Sequence, residues 1–120
     1  MRTILAVDDS NSMRVIVAYA LRDAGYEVVL ANDGNEALQQ IAAQPVDLII
    51  ADLYMPNMNG IELIRHVRST AQYKFLPIIV LTTESSPDKI QEGKAAGSTA
   101  WIMKPFTVEQ LLAAVRKVTR

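Results

Sequence analysis

The chain has 120 residues, the usual size of one domain, and half of them are apolar, enough for a buried core. Twelve lysines and arginines against thirteen aspartates and glutamates leave a formal net charge of −1, which argues against a broad footprint on nucleic acid or an anionic membrane. Disulfides, thiolate catalysis and cysteine-ligated metals are excluded because there is no cysteine, and with no signal peptide and no apolar stretch near ~18 residues a cytoplasmic protein is expected.

The first apolar run, TILAV (3–7), stops at two adjacent aspartates, Asp8 and Asp9. A helix follows, with apolar residues at Ile16, Val17, Ala20, Leu21 and Ala24, Asn11 as its expected N-cap and Gly25 as its stop. The second run is EVVLA (27–31). Its helix carries Ala37, Leu38, Ile41 and Ala42 and ends before Pro45. The third run, DLIIA (47–51), stops at Asp52, and a helix beginning after Gly60 carries Leu63, Ile64 and Val67. The fourth, PIIVLT (77–82), ends in Thr82 and Thr83. The next helix opens at Ser86-Pro87 and stops at Gly97, with a thin apolar face that is mainly Ile90. The fifth, AWIM (100–103), leads into Lys104-Pro105. The last helix opens with the capping-box spacing Thr107-Val-Glu-Gln110 and shows Val108, Leu111, Leu112, Val115 and Val118.

Three of the runs are apolar throughout, as strands covered on both faces read. Five strand–helix units in a row predict a doubly wound α/β domain with a parallel sheet and helices on both faces. No linker or repeat divides the chain, so residues 1–120 are expected to form one domain, with no output domain attached.

In a parallel sheet the strand ends share one rim, and ligands of open α/β sheets bind there. Asp8, Asp9, Asp52, the Thr82 hydroxyl and Lys104 are therefore expected to converge. Three carboxylates together call for a hard cation, and Mg²⁺ is the expected cofactor. A carboxylate beside Mg²⁺ and a lysine can also act as a nucleophile and form an aspartyl phosphate. Lys104 can neutralise phosphoryl oxygens, and Thr82 can donate to one. Bland readings exist for each residue: a helix-dipole acid pair for Asp8-Asp9, a turn residue for Asp52, a capping or ladder residue for Thr82, a static half-buried ring for Trp101. His66, the only histidine, is expected at a solvated helix position, Met55 and Met58 in loop packing, and Arg116, Lys117 and Arg120 at a helix C-terminus.

The ordered set Asp8-Asp9, Asp52 in ADLYMPNMNG, Thr82 after IIVL and Lys104 in KPF resembles the receiver domains of two-component response regulators. The resemblance covers essentially the whole chain and is strongest to single-domain chemotaxis regulators. It implies a flavodoxin-like (βα)5 fold with strand order 2-1-3-4-5. Asp52 would be the phosphoacceptor of a sensor histidine kinase. Asp9, Asp52 and the main-chain carbonyl of Tyr54 would be direct Mg²⁺ ligands, with Asp8 acting through water. Lys104, ahead of a cis peptide at Pro105, would pair with the phosphoryl group. Thr82 and Trp101 would be the switch pair, remodelling the face of the fourth helix, fifth strand and fifth helix for a downstream protein such as a flagellar motor switch. Autodephosphorylation would be the only further chemistry, in a monomer that binds neither nucleic acid nor membrane.

Departures from the pattern stand at Trp101, where Tyr or Phe is usual, and at Thr83, where a small residue is common. Tyr54 and Glu84 occupy the variable positions flanking the site. A phosphorelay intermediate or phosphate sink is the alternative output. A haloacid-dehalogenase-type phosphatase would need Asp-x-Asp after the first strand and a cap domain. An FMN-binding flavodoxin would need a phosphate loop where DDSNSM instead places two negative charges.

Overall fold

The computed structural model describes residues 2–119. Its elements alternate as β1 (Thr3–Val7), α1 (Asn11–Asp23), β2 (Glu27–Ala31), α2 (Gly34–Ala43), β3 (Leu48–Ala51), α3 (Gly60–Arg68), β4 (Ile78–Thr82), α4 (Pro87–Ala96), β5 (Ala100–Met103) and α5 (Val108–Thr119). The strands form one parallel sheet in the order β2-β1-β3-β4-β5, the predicted topology. Arg120 lies outside the described residues.

Period-2 alternation explains why the central runs are apolar throughout. Leu5, Val7, Ile49, Ala51, Ile78 and Val80 pack on one face with Ala37 and Ile41 of α2 and Leu63, Ile64 and Val67 of α3. Ile4, Ala6, Leu48, Ile50, Ile79 and Leu81 pack on the other with Val17 and Leu21 of α1 and Leu111 and Val115 of α5. Each of these strands feeds two cores, so no position on it is left for a polar residue until the strand ends.

Helix boundaries follow local chemistry, with one correction. Ser10, not Asn11, caps α1: its backbone is extended and its Oγ accepts from the Met13 amide. Asn11 is the first helical residue, and its Oδ1 accepts from Arg14 instead. Asn59 and Glu62 form a reciprocal capping box at the start of α3. Ser86 caps α4, its Oγ accepting from the Lys89 amide with Pro87 at the first helical position, and the expected box at Thr107 is formed. A 3-10 turn at Ala71–Tyr73, absent from the sequence reading, buries Tyr73 before β4.

α4 is the least embedded helix: Gly93 is its only buried residue, and Ile90 is half-exposed. Its C-terminal end is held from α3 by Arg68, whose guanidinium donates to the Gly97 carbonyl at 2.7 Å and to the Tyr73 carbonyl at 3.0 Å. Gly97 has φ +118°, the left-handed conformation that ends the helix. His66 is exposed on α3, and Met55 and Met58 pack half-buried against the core, as the sequence suggested.

Candidate functional site

Strand register assembles the site. Val7 pairs with Ala51, so Asp8 and Asp52 leave neighbouring strands at the same level. The Asp52 amide donates to the Val7 carbonyl at 3.1 Å, and the Asp8 amide to Ala31 at 3.2 Å. Thr82 pairs with Met103, and the Lys104 amide donates to the Thr82 carbonyl at 2.8 Å. The lysine thus starts from the rim beside the acids.

Lys104 Nζ lies 2.9 Å from Asp8 Oδ2 and 3.0 Å from Asp52 Oδ2. All three side chains are largely withdrawn from solvent, at 13% exposure for the lysine, 8% for Asp8 and 12% for Asp52. Burial alone would lower the lysine pKa. The hydrogen bonds and charges of Asp8 and Asp52 outweigh it and hold the ammonium above its ordinary value. Asp9 is exposed at the mouth, and carboxylate oxygens of Asp8, Asp9 and Asp52 lie within 4.8 Å of one another. An oxygen-only donor set of this density fits a hard divalent cation. Receiver domains bind Mg²⁺ at such an acidic pocket.

The main chain fixes the acids further. The Ser10 amide donates to Asp8 Oδ1 at 2.9 Å, Arg14 Nη1 donates to the Asp8 carbonyl, and the Tyr54 amide donates to Asp52 Oδ1 at 3.3 Å. Behind Asp52 the chain folds back onto α3, with the Gly60 amide donating to Leu53 at 2.8 Å. A Cβ on Gly60 would stand 2.5 Å from the Asp52 carbonyl oxygen and 2.9 Å from Leu53 Cα. Both are backbone atoms and cannot rotate aside. Gly60→Ala is therefore expected to lower unfolding stability by about 2 kcal/mol, the range for overpacking, and to weaken metal binding by displacing Asp52. Chemical denaturation and Mg²⁺ titration of the purified variant measure the two effects.

Thr82 is fully buried, and its Oγ1 accepts from the Glu84 amide at 3.3 Å; the Lys104–Asp8–Asp52 bridge is made without it. Thr83 and Pro105 are exposed, and the Lys104–Pro105 peptide is cis. Trp101 is half-buried against the α2–α3 core, and its Nε1 donates to the Glu84 carbonyl at 3.0 Å. Room for the large ring comes from Gly93: a Cβ there would fall 2.5 Å from the indole Cζ3.

Tyr54 and Glu84 meet across the rim, the tyrosine hydroxyl donating to Glu84 Oε1. That bond, with the Ser86 amide on Oε2, holds the half-buried glutamate pKa down to about 2. The same bond, with the negative charges of Glu84 and Asp52, raises the Tyr54 pKa. The sequence reading placed both residues beside the site but did not foresee their contact, nor the roles of Gly60, Gly93, Arg14 and Arg68.

Fold and pocket together define a CheY-like receiver domain of a two-component response regulator. Residues 4–116 match the family described as response regulator receiver domain, and the chain belongs to it. It is 38% identical over 116 residues to the chemotaxis protein CheY of Pseudomonas aeruginosa, covering 96% of this chain and 94% of that one. It superposes with a TM-score of 0.95 on the chemotaxis protein CheY4 of Vibrio cholerae, at 52% identity and 98% coverage of both chains. It is 42% identical over 117 residues to the response regulator MprA of Mycobacterium leprae, covering 98% of this chain but spanning only 50% of that relative.

Proposed function

We propose that residues 1–120 act as one receiver that takes a phosphoryl group onto Asp52 from the phosphohistidine of a sensor kinase. The observation that carries this reading is the Lys104 ammonium shared between Asp8 and Asp52 at the rim, with Asp9 beside them. Asp8, Asp9, Asp52 and the Tyr54 carbonyl would hold Mg²⁺, which when bound supplies positive charge for the phosphoryl oxygens. An Asp52 carboxylate oxygen attacks phosphorus, the P–N bond breaks, and the imidazole nitrogen takes a proton. Lys104 follows the charge as it moves from carboxylate to phosphoryl oxygens. Water later attacks the same phosphorus, the bond to Asp52 breaks, and inorganic phosphate leaves.

Thr82 and Trp101 serve as the switch: a phosphoryl group draws the Thr82 hydroxyl away from the Glu84 amide, and the loop carrying the indole's acceptor moves with it. The face of α4, β5 and α5, with exposed Met103 and Val108, meets the downstream protein. Coverage of nearly the full length of two chemotaxis proteins supports a chemotaxis role, with a flagellar motor switch as the target. Among the described residues no helix is long and apolar enough to cross a membrane; we propose that the protein acts in the cytoplasm as a monomer.

The test adds Mg²⁺ and then acetyl phosphate while following emission of Trp101, the only tryptophan, and intact mass. One base-labile phosphoryl group and a Mg²⁺-dependent emission change are expected. No mass gain from acetyl phosphate or from a histidine kinase would overturn the reading. Tyr54 and Glu84 cover the rim, so Tyr54→Ala and Glu84→Ala are each expected to change the aspartyl-phosphate half-life several-fold by altering water access. Decay of acid-quenched phosphoprotein measures it, and three equal rates would remove the pair from that role.

A further inference from the structure

Four hydrogen bonds meet at one half-buried residue, Glu84. The Glu84 amide donates to Thr82 Oγ1 at 3.3 Å, and its carbonyl accepts from Trp101 Nε1 at 3.0 Å. Its carboxylate accepts from the Ser86 amide at 2.9 Å through Oε2 and from the Tyr54 hydroxyl through Oε1. Tyr54 belongs to the loop after β3, and its own amide donates to Asp52 Oδ1 at 3.3 Å. A continuous path therefore runs from the Asp52 carboxylate through Tyr54 and Glu84 to the indole. The indole has a single donor, and it is spent on Glu84. Its ring fills the space that Gly93 leaves on α4. Glycine in mid-helix is unfavourable by ~1 kcal/mol relative to alanine, so the socket has an energetic cost that the ring contact offsets.

We propose that Glu84 is a positioning residue that tethers Trp101, and through it the middle of α4, to the Asp52 loop by way of Tyr54, along a path separate from the Thr82 hydroxyl. α4 is then held at two places of different character. Arg68 fixes its C-terminal end to α3 whatever the pocket does. The Trp101–Gly93 contact fixes its middle, and only as firmly as the Glu84 loop holds the indole. Loosening Tyr54 from Glu84 frees that loop, and the helix swings from its Arg68 end. For signalling, the tether rests on the receiver reading above; its existence does not, since it is complete without a phosphoryl group.

The experiment uses the unphosphorylated full chain, with acrylamide quenching of Trp101 and residue-resolved amide exchange. Tyr54→Phe removes one hydroxyl and keeps the ring. It is expected to raise Trp101 quenching and to speed exchange of the Ile90–Gly93 amides about fivefold, the shift one ordinary hydrogen bond supports, with the Gly97 amide unchanged. Glu84→Ala should do at least as much, and the double variant should equal Glu84→Ala alone, as for two residues in one chain of contacts. The Tyr54→Phe effect should persist on a Thr82→Ala background. Wild-type quenching and exchange in Tyr54→Phe, full additivity in the double variant, or disappearance of the effect with Thr82→Ala would each overturn the proposal. None of these readouts depends on whether Asp52 accepts phosphate, which the mass measurement decides separately.

Discussion

Asp52→Asn is expected to end phosphoryl uptake completely while leaving the fold intact. The amide keeps the carboxylate's shape but has no anionic oxygen to attack phosphorus. Its single oxygen cannot accept from both the Tyr54 amide and Lys104, which divide the two carboxylate oxygens between them. Lys104 retains Asp8 at 2.9 Å, so the ammonium is not stranded. The three acids and one lysine carry a net local charge of −2, which the variant lowers to −1. Less like-charge repulsion compensates for the lost ion pair, and the thermal midpoint should lie at or above that of the wild type. Metal binding, deprived of one anionic ligand, should weaken about tenfold. Intact mass after acetyl phosphate, thermal unfolding and Mg²⁺ titration check these points in one preparation. A phosphoryl group on the variant would move the acceptor to Asp8 or Asp9.

That the rim residues can be located from the sequence follows from how strands 1, 3 and 4 are buried. Each feeds two cores, so its apolar run has no gap, and the first polar residue marks the rim. Asp8, Asp52 and Thr82 are those first residues. Lys104 was legible for the same reason, though β5 is an edge strand and only half-buried. Ser10 was misread because serine and asparagine are near-equal caps, and only the backbone angle at position 10 separates them. The Asn59–Glu62 box has a usable signal in its Asn-x-x-Glu spacing ahead of an apolar helix. Other features had no sequence signal. Tyr54 and Glu84 are 30 residues apart, and Arg68 and Gly97 are 29 apart; neither pair has a period or motif that announces contact. Gly60 and Gly93 look like ordinary helix glycines until the Asp52 carbonyl and the Trp101 ring are seen where a Cβ would sit. Periodicity reports which face is buried, whereas these contacts depend on how two loops and a helix happen to cross.

Lys104→Ala should have the largest effect on stability, and Mg²⁺ should reverse part of it. One ammonium serves two carboxylates that are each about one-tenth exposed. Deleting it leaves both partly desolvated and mutually repelling, at a cost of about 3 kcal/mol, the low end for removing one partner of a buried ion pair. The lysine holds one oxygen of Asp8 and one of Asp52, two of the three acids that would hold Mg²⁺. If cation and lysine compete for these carboxylates, the variant should gain more unfolding stability per added Mg²⁺ than the wild type. On the proposed mechanism phosphoryl transfer does not recover with it, because the ammonium assigned to follow charge onto the phosphoryl oxygens is gone, and the rate from acetyl phosphate should stay about a hundredfold down at saturating Mg²⁺. Denaturation midpoints across a Mg²⁺ series, with single-turnover labelling at its upper end, separate the two roles. Equal Mg²⁺ gains in both proteins would mean that Lys104 and the metal use different oxygens. Restored transfer would reduce the lysine to charge balance alone.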